Sequence, residues 1–276
     1  MSRILKAAAI QMRSGIDPAR NMEALAPLVA EAAAAGATFV STPEMTTCLE
    51  RNAQRRFDAS AKSEGDPAIQ AAADLARTHG IWLHLGSAGF ASEGLKIFNR
   101  ALVFSPEGKI TARYDKIHLF DVDLGAEKYR ESDYIEWGKE AVIADLGGPK
   151  LGLSICYDVR FAPLYRRLAQ AGAEILAVPA AFTRPTGEAH WEVLLRARAI
   201  ETGSFVIAAA QGGSHEDGRS TWGHSMIIDP WGKILAQKDD DAPGLILAEL
   251  NLDQAAEARR KVPAYNLDRV FTGPLT

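Results

Sequence analysis

Short apolar runs alternate with longer amphipathic stretches along the first part of the chain. The runs at 5–12, 38–42 and 81–87 predict buried strands. The stretches 17–35 and 66–80 predict helices, because each begins with Asp-Pro and is followed or closed by glycine. Aspartate caps the free N–H groups of a first helical turn, and proline fits its first position. This alternation of strands and helices predicts an α/β fold.

The middle of the chain has a different pattern. Residues 99–104 and 109–117 flank Pro106-Glu107-Gly108, which is a turn sequence, and together they predict a β-hairpin. Residues 119–138 are rich in charged and aromatic side chains, and they predict a long loop. Long loops in compact domains are usually functional.

Strand and helix patterns alternate again in the second half. Strands are predicted at 150–155, 174–179, 205–210 and 244–250, helices at 162–171 and 188–201, and a hairpin at 225–228 and 233–236. Hairpins mixed with β-α units favour large mixed sheets covered by helices. No repeat and no break in composition divides the chain, so we predict a single domain over residues 1–276.

Composition and charge exclude several classes of partner. The chain has 276 residues and a net charge of −4, so it lacks the basic field that nucleic acids or anionic membranes would require. Its N-terminal apolar stretch is too short for a signal peptide, and no run approaches the length of a membrane span. We therefore expect a small-molecule partner, with no nucleic acid and no membrane.

The cysteine and histidine content also limits the chemistry. Cys48 and Cys156 are the only two cysteines, which makes a disulfide framework improbable and favours a reducing, cytoplasmic setting. The six histidines show no zinc-ligand spacing. We expect neither a metal nor another cofactor.

Cys156 occupies a position that suits a nucleophile. It ends the apolar run 151–155 and is followed at once by the polar segment 157–161. Catalytic groups in α/β proteins cluster at the carboxyl ends of strands, and a turn there exposes N–H groups that can hold an oxyanion. A lone cysteine is nevertheless often a small buried hydrophobe. Taken alone, Cys156 favours that second interpretation.

Two further residues at strand ends change this balance. Glu44 follows the strand predicted at 38–42, and Lys116 lies near the end of the strand predicted at 109–117. Alone, the first is typical of a solvated loop and the second of a sheet edge. With Cys156 they supply a base for the thiol and an ammonium that favours the thiolate and stabilises a tetrahedral oxyanion. Strand ends can converge on one pocket, which predicts nucleophilic catalysis.

These motifs resemble those of the nitrilase superfamily, the carbon–nitrogen hydrolases that use a Glu-Lys-Cys triad. The matches follow the family order: Pro43-Glu44, then residues 114–120, then residues 155–161. Residues 130–132 resemble the segment that carries a second, supporting glutamate. The similarity covers nearly the whole chain, and the combination of motifs is far more specific than any one of them.

The resemblance implies a fold and a set of catalytic roles. The fold is a four-layer αββα sandwich of two mixed β-sheets covered by helices, assembled into at least a homodimer through helices near the active site. Glu44, Lys116 and Cys156 form the triad, and Glu131 orients Lys116 or Glu44. Lys116 and the backbone N–H of Tyr157 hold the oxyanion.

A branch of the superfamily is also indicated. Residues 181–183, 186–201 and 222–232 are similar to the deaminated-glutathione amidase branch, whereas the omega-amidase branch tends to differ at residues 193–195. By implication the substrate is an amide of a 2-oxo dicarboxylic acid. Deaminated glutathione would pass through a thioester and give 2-oxoglutarate and cysteinylglycine.

Candidate substrate-binding residues are less specific. Arg160 offers a guanidinium suited to a substrate carboxylate, and a structural ion pair is the alternative. Phe182 and Thr183 belong to the branch motif. Arg184 lies in a Pro-Gly loop and either lines the pocket or is an exposed turn residue. His190 either lines the pocket or packs its helix.

Other functions stay open at this stage. An omega-amidase acting on 2-oxoglutaramate, or another amidase or nitrilase, shares the triad. The motifs depart from the common family pattern at residues 45–47 and 162–163, which lie outside the triad. An inactive nitrilase-like binding module is disfavoured by the intact Glu44, Lys116 and Cys156. A thiol redox protein is disfavoured because Cys156 has no C-x-x-C partner.

Overall fold

The computed structural model describes residues 3–123, 125 and 128–273. Its strands are β1 (Ile4–Gln11), β2 (Phe39–Ser41), β3 (Trp82–Ala91), β4 (Ile97–Phe104), β5 (Ile110–Asp115), β6 (Asp121–Asp123), β7 (Lys128–Arg130), β8 (Ile135–Glu136), β9 (Ile143–Asp145), β10 (Lys150–Leu153), β11 (Ile175–Ala177), β12 (Phe205–Ala208), β13 (Gly212–Ser214), β14 (Ser220–Trp222), β15 (Met226–Ile228), β16 (Ile234–Gln237) and β17 (Gly244–Asn251). Its helices are α1 (Pro18–Ala34), α2 (Ala53–Asp58), α3 (Pro67–His79), α4 (Ala162–Gln170), α5 (Arg184–Thr202) and α6 (Asp253–Lys261). Short 3₁₀ turns cover Glu131–Asp133, Cys156–Arg160 and Pro263–Asn266.

Two large sheets are both mixed. The first has the order β17-β1-β2-β3-β4-β5, with β8 paired to β4, and the second has the order β16-β15-β12-β11-β10-β9. Strands β1, β2 and β3 run parallel, as do β10, β11 and β12, because a helix returns the chain between them. The outer pairs are antiparallel, as in β1 with β17 and β12 with β15.

The two sheets pack face to face. Alternate residues of β1 point in opposite directions: Ala7 and Ala9 belong to the core shared with Leu153 of the second sheet, whereas Ala8 and Ile10 pack in the cluster that contains α1 and α3. Helices α4 and α5 pack against β10 and β12 of the second sheet. The predicted α/β class and four-layer αββα sandwich are therefore confirmed.

The start of α1 and the end of α3 have the capping residues that the sequence predicted. The side chain of Asp17 accepts hydrogen bonds from the N–H groups of Ala19 and Arg20 at the start of α1. Such a cap is typically worth about 1 kcal/mol. Helix α3 ends at Gly80, whose φ of 61° is a left-handed conformation that glycine adopts at little cost.

The structure corrects two of the sequence-based boundaries. The long loop predicted at 119–138 was wrong in part, because β6 and β7 pair within it and a 3₁₀ turn and β8 follow. Helix α5 begins at Arg184 rather than at residue 188, since Pro185 fits its first turn. Helix α2, strand β9 and the β13–β14 hairpin were not predicted, and each is too short to show a clear hydrophobic period.

Within the described ranges, no helix is both long and apolar enough to cross a lipid bilayer.

Candidate active site

Four side chains predicted to act together line one cavity. Glu44 follows β2 and Lys116 follows β5 in the first sheet, whereas Cys156 follows β10 in the second. Glu131 opens the 3₁₀ turn after β7. The two sheets thus bring strand ends that are distant in sequence to one place, and all four side chains are buried.

Lys116 is held between two carboxylates. Its Nζ lies 3.0 Å from Oε1 of Glu44 and 2.9 and 2.8 Å from the two oxygens of Glu131. The residue is only 1% exposed. Burial alone opposes the charged ammonium, but the two carboxylates outweigh it and hold the pKa of Lys116 well above its usual range. Lys116 is therefore a permanent cation and donor, not a base.

Glu44 is the centre of the hydrogen-bond network. Its Oε1 also accepts a bond from Nδ2 of Asn99 at 2.9 Å, and its Oε2 accepts one from the N–H of Ala181 at 2.9 Å. Burial raises the pKa of this carboxyl, but the charge of Lys116 and the hydrogen bonds from Cys156, Lys116 and Asn99 outweigh it and lower the pKa overall. Glu44 is thus an anion that contacts the thiol.

The second carboxyl group is shifted in the opposite direction. Burial raises the pKa of Glu131, and the negative charge of Glu44 adds to this, although Lys116 opposes it. Its Oε2 accepts a further bond from the N–H of Phe120 at 2.6 Å. Two carboxylates with pKa values moved apart are typical of sites that divide acid–base and supporting roles.

Cys156 sits on a strained turn. Its φ is +51°, a left-handed conformation that is uncommon for residues other than glycine, and its N–H donates to the carbonyl of Pro179 at 2.8 Å. Burial raises the pKa of the thiol, and the charge of Glu44 raises it further. The charge of Lys116 favours the thiolate, as the sequence predicted, but burial and the charge of Glu44 outweigh it. The favoured form is therefore a neutral thiol beside the Glu44 carboxylate.

Asp158 fixes the turn that carries the thiol. Its carboxylate accepts bonds from the N–H of Ile155 at 2.8 Å, the hydroxyl of Tyr114 at 2.6 Å and the N–H of His118 at 3.0 Å. Because Tyr114 and His118 flank Lys116, one buried carboxylate ties the thiol turn to the end of β5. Sequence reasoning did not assign Asp158 a role, although it lies two residues after the thiol.

The predicted substrate-binding residues divide into two groups. Phe182 and Thr183 line the cavity, as does Tyr157 of the predicted oxyanion pair. Arg160, Arg184 and His190 do not line it. Nη1 of Arg160 lies 3.3 Å from Nδ1 of His190, and Arg184 forms an ion pair with Asp241.

Cys48 and Thr186 also line the cavity. Sequence reasoning missed its other lining residues, which are Met45, Leu49, Glu50, Arg56, Phe120, Tyr129, Tyr134, Ala181, Arg219, Ser220 and Thr221. Many belong to α2, the segment before it, and β14, which the hydrophobic pattern did not predict. Burial raises the pKa of Cys48 to about 12, so the second thiol is much less reactive than an ordinary cysteine.

In the part of the chain that the structure describes, no group of three or more His, Cys, Asp or Glu side chains is placed to hold a metal ion.

Residues 6–260 match the model of the carbon–nitrogen hydrolase family. The chain is 44% identical over 214 residues to the deaminated glutathione amidase of Yersinia enterocolitica, covering 76% of this chain and 74% of that protein. It is 43% identical over 267 residues to the deaminated glutathione amidase of Mus musculus, covering 94% of this chain and 81% of that protein.

Solved structures give the same picture. The NitFhit protein of C. elegans superposes with a TM-score of 0.89 at 35% identity, over 97% of this chain and 66% of that one. A variant of the amidase from Nesterenkonia sp. AN1 has a TM-score of 0.79 at 25% identity, over 95% of this chain and 96% of that one. In that amidase the acetamide moiety of fluoroacetamide is added covalently at the active-site cysteine.

Proposed function

The chain belongs to the carbon–nitrogen hydrolase family, and from that premise we propose that it hydrolyses the amide bond of a small 2-oxo dicarboxylic acid amide. The best candidate is deaminated glutathione, which would give 2-oxoglutarate and cysteinylglycine. The relatives named for this activity support that choice. The observation that carries the proposal is the contact of the Glu44 carboxylate with both the Cys156 thiol and the Lys116 ammonium in one buried cavity.

Acylation begins at the neutral thiol. The carboxylate of Glu44 takes its proton as Sγ of Cys156 bonds to the amide carbon, and the C=O electron pair moves to oxygen. The ammonium of Lys116 and the N–H of Tyr157 donate to that oxyanion. Glu44 then gives its proton to the leaving nitrogen, the C–N bond breaks, and a thioester on Cys156 remains.

Deacylation reverses the proton path. Glu44 removes a proton from a water molecule, whose oxygen bonds to the thioester carbon while Lys116 and Tyr157 again hold the oxyanion. The C–S bond breaks, and the sulfur of Cys156 recovers its proton from Glu44. The lowered pKa of Glu44 keeps it ionised before each proton abstraction, so one carboxylate serves first as base and then as acid in each half of the cycle.

Glu131 has a supporting role in this scheme. Its two oxygens hold Nζ of Lys116 from one side while Glu44 holds it from the other. The ammonium therefore stays in place when Glu44 is transiently protonated, and Lys116 stays charged throughout the cycle. Glu131 positions the oxyanion donor without exchanging protons with the substrate.

A substrate panel tests the proposal. Turnover of deaminated glutathione, 2-oxoglutaramate and a simple aliphatic nitrile is measured side by side on one preparation. We expect the highest kcat/KM for deaminated glutathione. A preference for 2-oxoglutaramate would instead indicate the omega-amidase alternative, and a strong preference for the nitrile would overturn the amidase proposal. Complete inactivity with all three would favour the binding-module alternative.

We also propose that the protein is at least a homodimer and acts in a reducing, cytoplasmic setting. Val193 and Ile200 lie seven residues apart on α5, and their side chains are 69% and 55% exposed. Trp231, the sequence neighbour of Gly232, which lies against Ile200, is 62% exposed. An exposed apolar patch of this kind suits a partner surface. Both cysteines are free, which suits a reducing compartment.

A further inference from the structure

We propose that Arg56 is the binding site for a carboxylate of the substrate, on the wall of the cavity that also contains the thiol of Cys156. This inference rests on the proposed amidase function and assigns a role to a side chain outside the triad. It defines the substrate class as amides that carry a carboxylate some bonds away from the bond that breaks.

Arg56 is a buried cation without an anionic partner. The residue is only 6% exposed, it lines the cavity, and its Nε has no hydrogen-bond partner. Among the residues that the structure describes, no carboxylate forms an ion pair with it. The charge of Glu50 acts on Arg56, but its carboxylate is already bonded to Nε of Arg55 and to the N–H of Asn52, each at 2.7 Å. Buried charges are normally paired, so this cation lacks something that a ligand can supply.

The guanidinium is also fixed in orientation. Its Nη1 donates to the carbonyls of Glu50 at 3.2 Å and Arg51 at 3.0 Å. Its central carbon lies 3.7 Å from the centre of the Tyr134 ring, which forms one face of the site. Because the Arg56 guanidinium is held at one nitrogen and stacked on a ring, it loses little conformational entropy when a ligand binds. It is therefore preorganised for a planar carboxylate.

Tyr134 relates this site to the reacting centre. Its backbone N–H donates to the carbonyl of Glu131 at 3.1 Å, and Glu131 also holds Nζ of Lys116. Arg56 stacks on the Tyr134 ring, and all four residues line the same cavity. A carboxylate bound to Arg56 would therefore share the cavity with an amide carbon at Cys156.

Arg219 adds to the site without replacing Arg56. It lines the same cavity, but its charge is balanced by Asp217, whose oxygen lies 2.6 Å from Nη2 of Arg219 and whose side chain is fully buried. Arg56, which forms no ion pair with any described carboxylate, therefore supplies the positive charge that is open to a ligand. An amide without a carboxylate would leave the Arg56 charge unpaired, whereas an amide that carries a carboxylate would neutralise it.

A substrate of the proposed class can carry a carboxylate on its acyl group and another on its leaving amine, and three substrates distinguish these two positions. The first substrate has both carboxylates. The second keeps only the acyl carboxylate and releases ammonia, and the third keeps only the carboxylate of the leaving amine. Wild-type enzyme, Arg56→Gln, Arg56→Lys and the surface variant Arg51→Gln are assayed with each of them and with a carboxylate-free analogue.

We expect Arg56→Gln to lower, by about 30-fold, the ratio of kcat/KM for a carboxylate-bearing substrate to that for its carboxylate-free analogue. Whichever single-carboxylate substrate shows this loss identifies the carboxylate that Arg56 binds. Arg56→Lys should recover part of this kcat/KM ratio, because lysine keeps the positive charge but lacks the paired N–H donors of the guanidinium. Arg51→Gln, whose side chain is exposed, should leave the ratio within about twofold of wild type. An unchanged ratio in Arg56→Gln would overturn the proposal.

Two further readouts separate this inference from the proposed function. If Arg56→Gln fails to fold, neutralising the substrate carboxylates one at a time tests the wild-type enzyme, and equal kcat/KM for charged and neutral forms rejects the site. If no amide is hydrolysed at all, the proposed function fails. Calorimetric binding of glutarate to wild type and Arg56→Gln then tests the site alone, and equal affinities would reject it.

Discussion

At the residue scale, the chemistry depends on how three buried charges are distributed. Glu44 and Glu131 share one ammonium, so the Lys116 charge is balanced before any substrate binds. Burial and the negative charge of Glu44 raise the pKa of the Cys156 thiol, although Lys116 opposes them, so the neutral thiol is the favoured form beside Glu44. Activation then depends on proton transfer during attack and not on a preformed thiolate, which distinguishes this site from Cys–His⁺ ion pairs.

Glu44→Gln tests this mode of activation. A glutamine keeps the shape of the side chain but cannot take the thiol proton, so we expect kcat to fall by about 10²–10⁴-fold. Iodoacetamide should label Cys156 faster than Cys48 in the wild type, because Glu44 can take the proton of Cys156, whereas Cys48 donates to the carbonyl of Ile16 and has a pKa of about 12. Labelling of Cys156 should slow in Glu44→Gln while labelling of Cys48 is unchanged. Equal labelling of Cys156 in both proteins would contradict base-assisted activation.

The pH profile follows from the lowered pKa of Glu44. The carboxyl must be ionised to act, and its pKa lies below the ordinary value of 4.5, so kcat/KM should stay constant down to that pH and fall only below it. The stability that Glu44 contributes is likewise complete above 4.5 and is lost as the pH falls through the lowered value. Rates and the free energy of unfolding are measured against pH. An acidic limb centred above pH 5 would argue against this assignment.

At the element scale, the site depends on how closely strand β3 approaches the segment that carries Glu44. A Cβ at Gly86 would lie 1.9 Å from the carbonyl oxygen of Thr42 and 2.5 Å from that of Pro43. It would also lie 2.6 Å from Cβ of Pro179, whose carbonyl accepts the bond from the N–H of Cys156. The absence of a side chain at one strand position thus allows the base and the nucleophile to meet.

Gly86→Ala should disturb both stability and activity. The two closest contacts are to backbone carbonyl oxygens, which cannot rotate away, so we expect a loss of about 1–3 kcal/mol in the free energy of unfolding. The segment before Glu44 must shift, and small misplacements of catalytic groups cost about 10²-fold in rate. Gly65→Ala is the matched control, because a Cβ there meets only Ser63 Oγ at 3.5 Å. The free energy of unfolding, from chemical denaturation, and kcat are measured for both variants. Equal losses in Gly86→Ala and Gly65→Ala would show that the close approach at Gly86 does not matter.

At the scale of the whole molecule, the second sheet carries the thiol on one side of the cavity while its covering helix α5 exposes apolar side chains. Val193 and Ile200 lie on that helix, and Phe182 and Thr183 precede it and line the cavity. An interface on α5 would therefore adjoin the wall of the active site, which links assembly to the geometry of the pocket.

Val193→Glu tests the proposed interface. A charge in the centre of an apolar contact is costly to bury, so we expect the variant to sediment and scatter as a monomer where the wild type is at least a dimer. Glu23→Gln on the exposed face of α1 is the control, and its mass should match the wild type. Light scattering coupled to size exclusion measures both. A monomeric wild type would end the homodimer proposal, and an unchanged mass in Val193→Glu would move the interface elsewhere.

The sequence by itself determined the fold class and the positions of Glu44, Lys116 and Cys156 at strand ends. These follow from short-range patterns, because hydrophobic period, helix caps and turn residues are properties of neighbouring positions. The tertiary structure decided the rest. It placed Arg56, Tyr134 and Arg219 on the cavity wall and left Arg160, Arg184 and His190 outside it. It also set the resting protonation of the thiol, since burial and Coulomb interaction depend on distances in space between segments far apart along the chain.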